Sequence, residues 1–132
     1  MDVKNDNTTK DGALDRILIV EDDDSLRILI QRKLNRAGFS AEGISNGIDA
    51  LSRIANHRYR LLVLDYTLPD MSGKQFISTL ADLEYDIPFI VSTGQENETI
   101  VDEMMNLGAQ EYVVKDNAFL DSILHSVQSV LG

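Results

Sequence analysis

Leu61-Leu62-Val63-Leu64-Asp65 is a run of four aliphatic residues with no polar break, closed by an acid. A run that short and that uniformly apolar fits a strand covered on both faces, and such strands belong to parallel sheets. The pattern recurs at 17–20 and 89–91, in shorter form at 112–114, and more weakly at 39–44. Helical spacings fill the gaps. Leu26, Ile30, Leu34 and Ala37 share one face and stop at Gly38. Ile48, Leu51, Ile54 and Ala55 form a second set, and Phe76, Ile77 and Leu80 a third. Ile100, Val101, Met104 and Leu107 form a fourth that stops at Gly108; Leu120, Ile123, Leu124, Val127 and Leu131 form a fifth. Five strands alternating with five helices predict an α/β domain, a doubly wound parallel sheet with helices on both faces.

The rest of the composition agrees. A chain of 132 residues, 43% hydrophobic and 26% charged, suits one domain. Residues 1–15, mostly Asp, Asn, Lys and Thr, read as a flexible leader, leaving 16–132 as the domain. A formal charge of −10 argues against non-specific binding to nucleic acid or anionic membrane. The absence of cysteine excludes a thiol nucleophile or thiolate metal site. No aliphatic run spans a bilayer, and the N-terminus lacks a basic-then-apolar signal pattern, so a cytoplasmic protein is expected.

Ligands of such sheets bind at the carboxyl ends of the strands. There the sequence places Glu21, Asp22, Asp23 and Asp24 after the first strand, Asp65 after the third, Ser92, Thr93 and Gly94 after the fourth, and Lys115 after the fifth. Carboxylates from neighbouring strands repel, and a divalent cation relieves the conflict; an all-oxygen donor set favours Mg²⁺. A carboxylate held at the crevice can accept a phosphoryl group as an aspartyl-phosphate. Asp65 is placed to do so, with Lys115 neutralising one equatorial oxygen and the Thr93 hydroxyl bonding another.

In these pieces the chain resembles the receiver domain of two-component response regulators, the CheY-like family. The resemblance is carried, in order, by residues 17–22 (ILIVED), 62–73 (LVLDYTLPDMSG), 87–94 (IPFIVSTG) and 108–115 (GAQEYVVK), and it spans 16–131. It implies a flavodoxin-like strand order, 2-1-3-4-5. Asp65 then matches the phosphoacceptor, and Asp22 the direct acidic Mg²⁺ ligand, with Glu21 acting mostly through water. The Thr67 carbonyl matches a further metal ligand, Thr93 and Lys115 the residues that sense the phosphoryl group, and Tyr112 the switch aromatic. The implied donor is a histidine kinase or histidine phosphotransfer protein, and the implied listener an output protein or domain, with no direct contact to nucleic acid or membrane. Such a protein catalyses its own phosphorylation and dephosphorylation and is not a conventional enzyme. Four positions stand out against the pattern. Glu21 stands where Asp is commoner, Asp116 where Pro follows the lysine, and Thr67 and Gln95 occupy positions that tune dephosphorylation.

Blander readings stand beside these. Asp23 or Asp24 is read as a helix cap. Tyr112 equally fits a half-buried packing aromatic. His57 and His125 are read as surface residues without a role, and Met104 and Met105 as core filler. Ile28 points away from the Leu26–Ile30–Leu34 face; with Arg27 and Gln31 it is either a contact for a kinase or phosphotransfer helix or an ordinary exposed isoleucine. A dehalogenase-like phosphatase would need an acid at Thr67 and a cap domain. A flavin-nucleotide binder would not place four acids after its first strand, and Gly73-Lys74 lacks the earlier glycine of a phosphate loop. The remaining alternative is a receiver-like scaffold that binds without being phosphorylated. No DNA-binding or enzymatic output fits in this length, so the chain is expected to be either a stand-alone regulator or the receiver part of a longer protein.

Overall fold

The computed structural model describes residues 16–94 and 97–132; the expected leader at 1–15 and the tuning position Gln95 lie outside the described residues. Five strands and five helices alternate: β1 Arg16–Val20, α1 Asp24–Arg36, β2 Ser40–Ile44, α2 Gly47–Asn56, β3 Leu61–Asp65, α3 Gly73–Asp82, β4 Phe89–Thr93, α4 Glu98–Asn106, β5 Glu111–Val114 and α5 Phe119–Leu131. All pairings are parallel, in the order β2-β1-β3-β4-β5.

Each buried strand splits its side chains between two cores, as the two-residue period of a strand requires. Leu18, Val20, Leu62 and Leu64 pack with Ala50, Ile54, Phe76, Leu80 and Met104, under α2, α3 and α4. Ile17, Ile19, Leu61 and Val63 pack with Ile30, Leu34, Ile123 and Val127, under α1 and α5. Both strand faces are thus apolar, which is why no polar alternation appears in 17–20 or 61–64.

The helix faces differ in detail from the spacing. Ala37 is an exposed C-cap of α1. In α2 the buried residues are Gly47, Ala50 and Ile54, while Ile48 and Ala55 are exposed. Gly47 is buried against Met71, whose Sδ would stand 2.6 Å from a Cβ there, and Ala50 and Ile54 join the core. In α4 Met104 is buried but Met105 and Leu107 are not. In α5 Phe119 and Ser126 join the buried set.

Helices α1, α3 and α4 end in the same Schellman geometry, in which the amide two residues past the cap bonds back into the last turn. Phe39 donates to the Leu34 carbonyl at 3.1 Å, Tyr85 to Leu80 at 2.9 Å and Ala109 to Met104 at 3.0 Å. Each needs a left-handed residue just before that amide. Gly38 and Gly108 supply it for α1 and α4, but α3 uses Glu84, at φ 66°.

Because the helices run back against parallel strands, their C-termini gather at the amino edge of the sheet. Arg32 and Arg36 of α1, Arg53 of α2, Arg58 and Arg60 after it, and Arg16 at the start of β1 fall toward that edge under β1, β2 and β3, with Arg16 and Arg53 paired to Glu42 of β2 at 3.4 and 3.0 Å. Acids Asp82, Glu84 and Asp86, at the end of α3, lie further along it. Among the described residues no helix is long and apolar enough to cross a membrane.

Candidate functional site

The carboxyl edge of the sheet gathers the acids. Glu21 follows β1 directly, and its amide still donates to the Ile44 carbonyl of β2 at 3.0 Å. Asp65 closes β3, paired in register with Ser92. Glu21 and Asp65 are buried and Asp22 is exposed; one carboxylate oxygen from each lies within 4.8 Å of the others. Asp23 caps α1, its Oδ1 accepting from the Leu26 amide at 2.9 Å. The run of acids therefore divides its labour, with the first two facing the crevice.

Lys115 reaches into this group from the end of β5. Its ammonium lies 2.8 Å from Glu21 Oε1 and 3.1 Å from Asp65 Oδ2. Its position follows from the backbone, because the Lys115 amide donates to the Thr93 carbonyl at 2.8 Å and so extends the β4–β5 ladder. Thr93 is buried at the end of β4, one residue past the Asp65–Ser92 pair. The Thr67 amide donates to Asp65 Oδ1 at 3.2 Å. Tyr112 lies one strand further, on β5 opposite Val91, with its side chain exposed.

The electrostatics follow from this crowding. Burial pushes the Glu21 carboxyl up, opposed by the Lys115 ammonium and the Asp23 amide and reinforced by the Asp65 charge. Burial by itself would push Lys115 down, but Glu21 and Asp65 more than offset it and hold the ammonium above the ordinary lysine range. Three carboxylates face one ammonium, so the cluster keeps an excess of negative charge. Hard oxygen donors with excess negative charge suit a hard divalent cation. Glu21, Asp22 and Asp65 are the residues able to hold it.

The surrounding loops show how the site is built. Gly73 donates to the Tyr66 carbonyl at 2.6 Å, and a Cβ at Gly73 would stand 3.1 Å from Tyr66 Cα. Any larger residue there would press on the Tyr66 backbone and push the start of α3 away from the end of β3. Ser72 and Gln75 form a capping box on α3. Arg27 lays its stem over Gly43, donates to the Glu21 carbonyl at 2.9 Å and pairs with Asp24 at 2.7 Å. Its guanidinium is thus committed to the β1–α1 turn, whereas Ile28 is exposed as its spacing requires.

Asp116 stands in a trans-linked turn. Its amide donates to the Val114 carbonyl at 2.9 Å and its Oδ1 accepts from the Ala118 amide at 3.0 Å. A proline there has no amide to donate. The aspartate leads the chain into α5, whose own N-cap, Ala118, makes no side-chain cap bond.

Two interactions had no local signal in the sequence. Asp70 caps α2 from another loop, accepting from the Gly47 amide at 2.9 Å and the Ile48 amide at 2.8 Å. These bonds hold its carboxyl below the usual aspartate range. Tyr66, next to Asp65, donates its hydroxyl to Glu103 Oε1 of α4 at 3.0 Å, while Lys74 of α3 lies 3.3 Å from Glu103 Oε2. Hydrogen bonds from Tyr66 and Lys74 hold the Glu103 carboxyl low. The partners are 37 and 29 residues apart, beyond any helical or strand spacing.

The fold and the arrangement of acids and lysine at its carboxyl edge define a CheY-like α/β domain. Residues 17–127 match the family model for the response regulator receiver domain, and the chain belongs to that family. The transcriptional regulatory protein PcoR of Escherichia coli is 32% identical over 110 residues, 83% of this chain and 49% of that protein. The response regulator MprA of Mycobacterium sp. (strain KMS) is 32% identical over 116 residues, 88% of this chain and 50% of that protein. The chain thus spans about half the length of these relatives. Among solved structures, a CheY-like receiver domain protein from Methanospirillum hungatei JF-1 superposes with a TM-score of 0.80 at 27% identity, covering 89% of this chain and 94% of that one. The receiver domain of a Luxo repressor protein from Vibrio parahaemolyticus gives 0.81 at 27% identity, with 88% of each chain covered.

Proposed function

We propose that this receiver takes a phosphoryl group from a histidine-phosphate donor onto Asp65. Support comes chiefly from one observation: a buried strand-end carboxylate shares a 4.8 Å cluster with two other acids and contacts a lysine at 3.1 Å. Glu21, Asp22 and Asp65, with the Thr67 carbonyl, would hold Mg²⁺, which when bound shields the carboxylates from the incoming phosphoryl charge. An Asp65 carboxylate oxygen attacks phosphorus in line, forming an acyl phosphate as the bond to the donor imidazole breaks. The Lys115 ammonium, held between Glu21 and Asp65, is close enough to turn toward a phosphoryl oxygen. The Thr93 hydroxyl is the candidate donor to another, and Tyr112, on the neighbouring strand, the candidate reporter of that change. Hydrolysis returns Asp65, so the chain acts on itself and not on a diffusible substrate.

The donor would be a histidine kinase or histidine phosphotransfer protein, and the listener an output protein or domain. A cytoplasmic setting accords with both.

The test is intact mass after incubation with Mg²⁺ and a small phosphodonor. Wild type should gain one phosphoryl group, and the gain should vanish in Asp65→Asn and in EDTA. No gain under conditions that label another receiver would favour the alternative, a scaffold that binds without phosphorylation.

A further inference from the structure

Glu103 of α4 is held by two elements at once. Its Oε1 accepts from the Tyr66 hydroxyl at 3.0 Å and its Oε2 lies 3.3 Å from the Lys74 ammonium. Tyr66 is the residue after Asp65 and is fixed along its backbone. Its amide donates to the Ser92 carbonyl at 2.9 Å and its carbonyl accepts from Gly73 at 2.6 Å. Its ring packs against the core beneath α2, α3 and α4. A shift of α4 therefore pulls on the peptide that follows the reactive carboxylate, and a change at Asp65 pulls on α4. Apart from the clasp, α4 is anchored by buried Met104 and half-buried Ile100, while Met105 and Leu107 are exposed.

We propose that Tyr66 is a positioning residue, and that the Tyr66–Glu103–Lys74 clasp couples the position of α4 to the state of Asp65. This rests on the reading of Asp65 as phosphoacceptor. A bond made by one phenol to one carboxylate carries coupling at the low end of the usual range, about five-fold. Coupling is reciprocal: if the clasp lets Asp65 act on α4, a ligand that holds α4 acts equally on the equilibrium at Asp65.

The experiment is hydrogen exchange across α4 with and without Mg²⁺ and beryllofluoride, which stands in for the phosphoryl group, alongside intact-mass labelling by a small phosphodonor. Wild type, Tyr66→Phe, Glu103→Gln and the double variant are compared. Lys33→Gln, which breaks the remote 2.6 Å pair with Asp121, is the control. Expected is an about five-fold change in α4 exchange on loading in wild type and control. Both single variants should lose most of it while Asp65 still takes the label, and the double variant should lose no more than either. A phosphorylated protein whose α4 response is the same in all five forms overturns the clasp alone. Losses that add in the double variant also overturn it, since the residues then act separately. Failure of wild type to take any label overturns the receiver reading, and this inference with it.

Discussion

Glu84 is the one non-glycine residue with a left-handed backbone among the described residues, and it does what Gly38 and Gly108 do elsewhere. An L-residue pays about 1–2 kcal/mol for that conformation. Glu84→Gly is expected to raise stability by roughly 0.5–1 kcal/mol, the relief being partly offset by a freer unfolded chain. Urea denaturation measures it, and a lower midpoint would mean that contacts of the Glu84 side chain outweigh the strain. At the same scale, the sequence made the acids and Lys115 readable because strand ends index them. It could not show that Arg27 was committed to the Glu21 carbonyl, since a stem lying over Gly43 depends on how close α1 lies to β2.

Between elements, Asp70 carries a clear expectation. It stitches the β3–α3 loop to the start of α2 through two amides. Asp70→Ala should cost about 1 kcal/mol, as loss of an N-terminal helix cap does. The pH dependence has a definite sign. The folded carboxyl is depressed, so the stabilisation is fully present above the ordinary aspartate value and is lost as pH falls through the lower folded value. Wild type should lose more stability than Asp70→Asn over that acid window, and parallel pH profiles would show that the bonds are not charge-assisted. The helices were legible where large aliphatics face the sheet, as in Ile30 and Leu34. They were misread where the buried residues are small, because Ala50 and Gly47 give no hydrophobic period while exposed Ile48 mimics one.

For the whole molecule, a cation at the acidic edge would bind the folded chain alone, because Glu21, Asp22 and Asp65 come together only through the sheet. Mg²⁺ should therefore raise the thermal midpoint beyond a sodium chloride control of equal ionic strength. At about five times its dissociation constant the gain is about 1 kcal/mol. Asp22→Asn should shrink that gain; an identical shift in both proteins would place the ion elsewhere. The order β2-β1-β3-β4-β5 came from the resemblance and not from periodicity, which yields the number of strands but not their neighbours.

The basic side chains under β1, β2 and β3 and the acids at the opposite edge have a consequence for motion. Asp82, Glu84 and Asp86, and the pairing of Arg16 and Arg53 with Glu42, offset part of the basic edge. The imbalance that is left along the strand axis would act as an electric dipole, and a dipole in the field of a charged partner feels torque as well as attraction. The chain would turn while it approaches, presenting one end before contact and shortening the rotational search that limits docking of two specific patches.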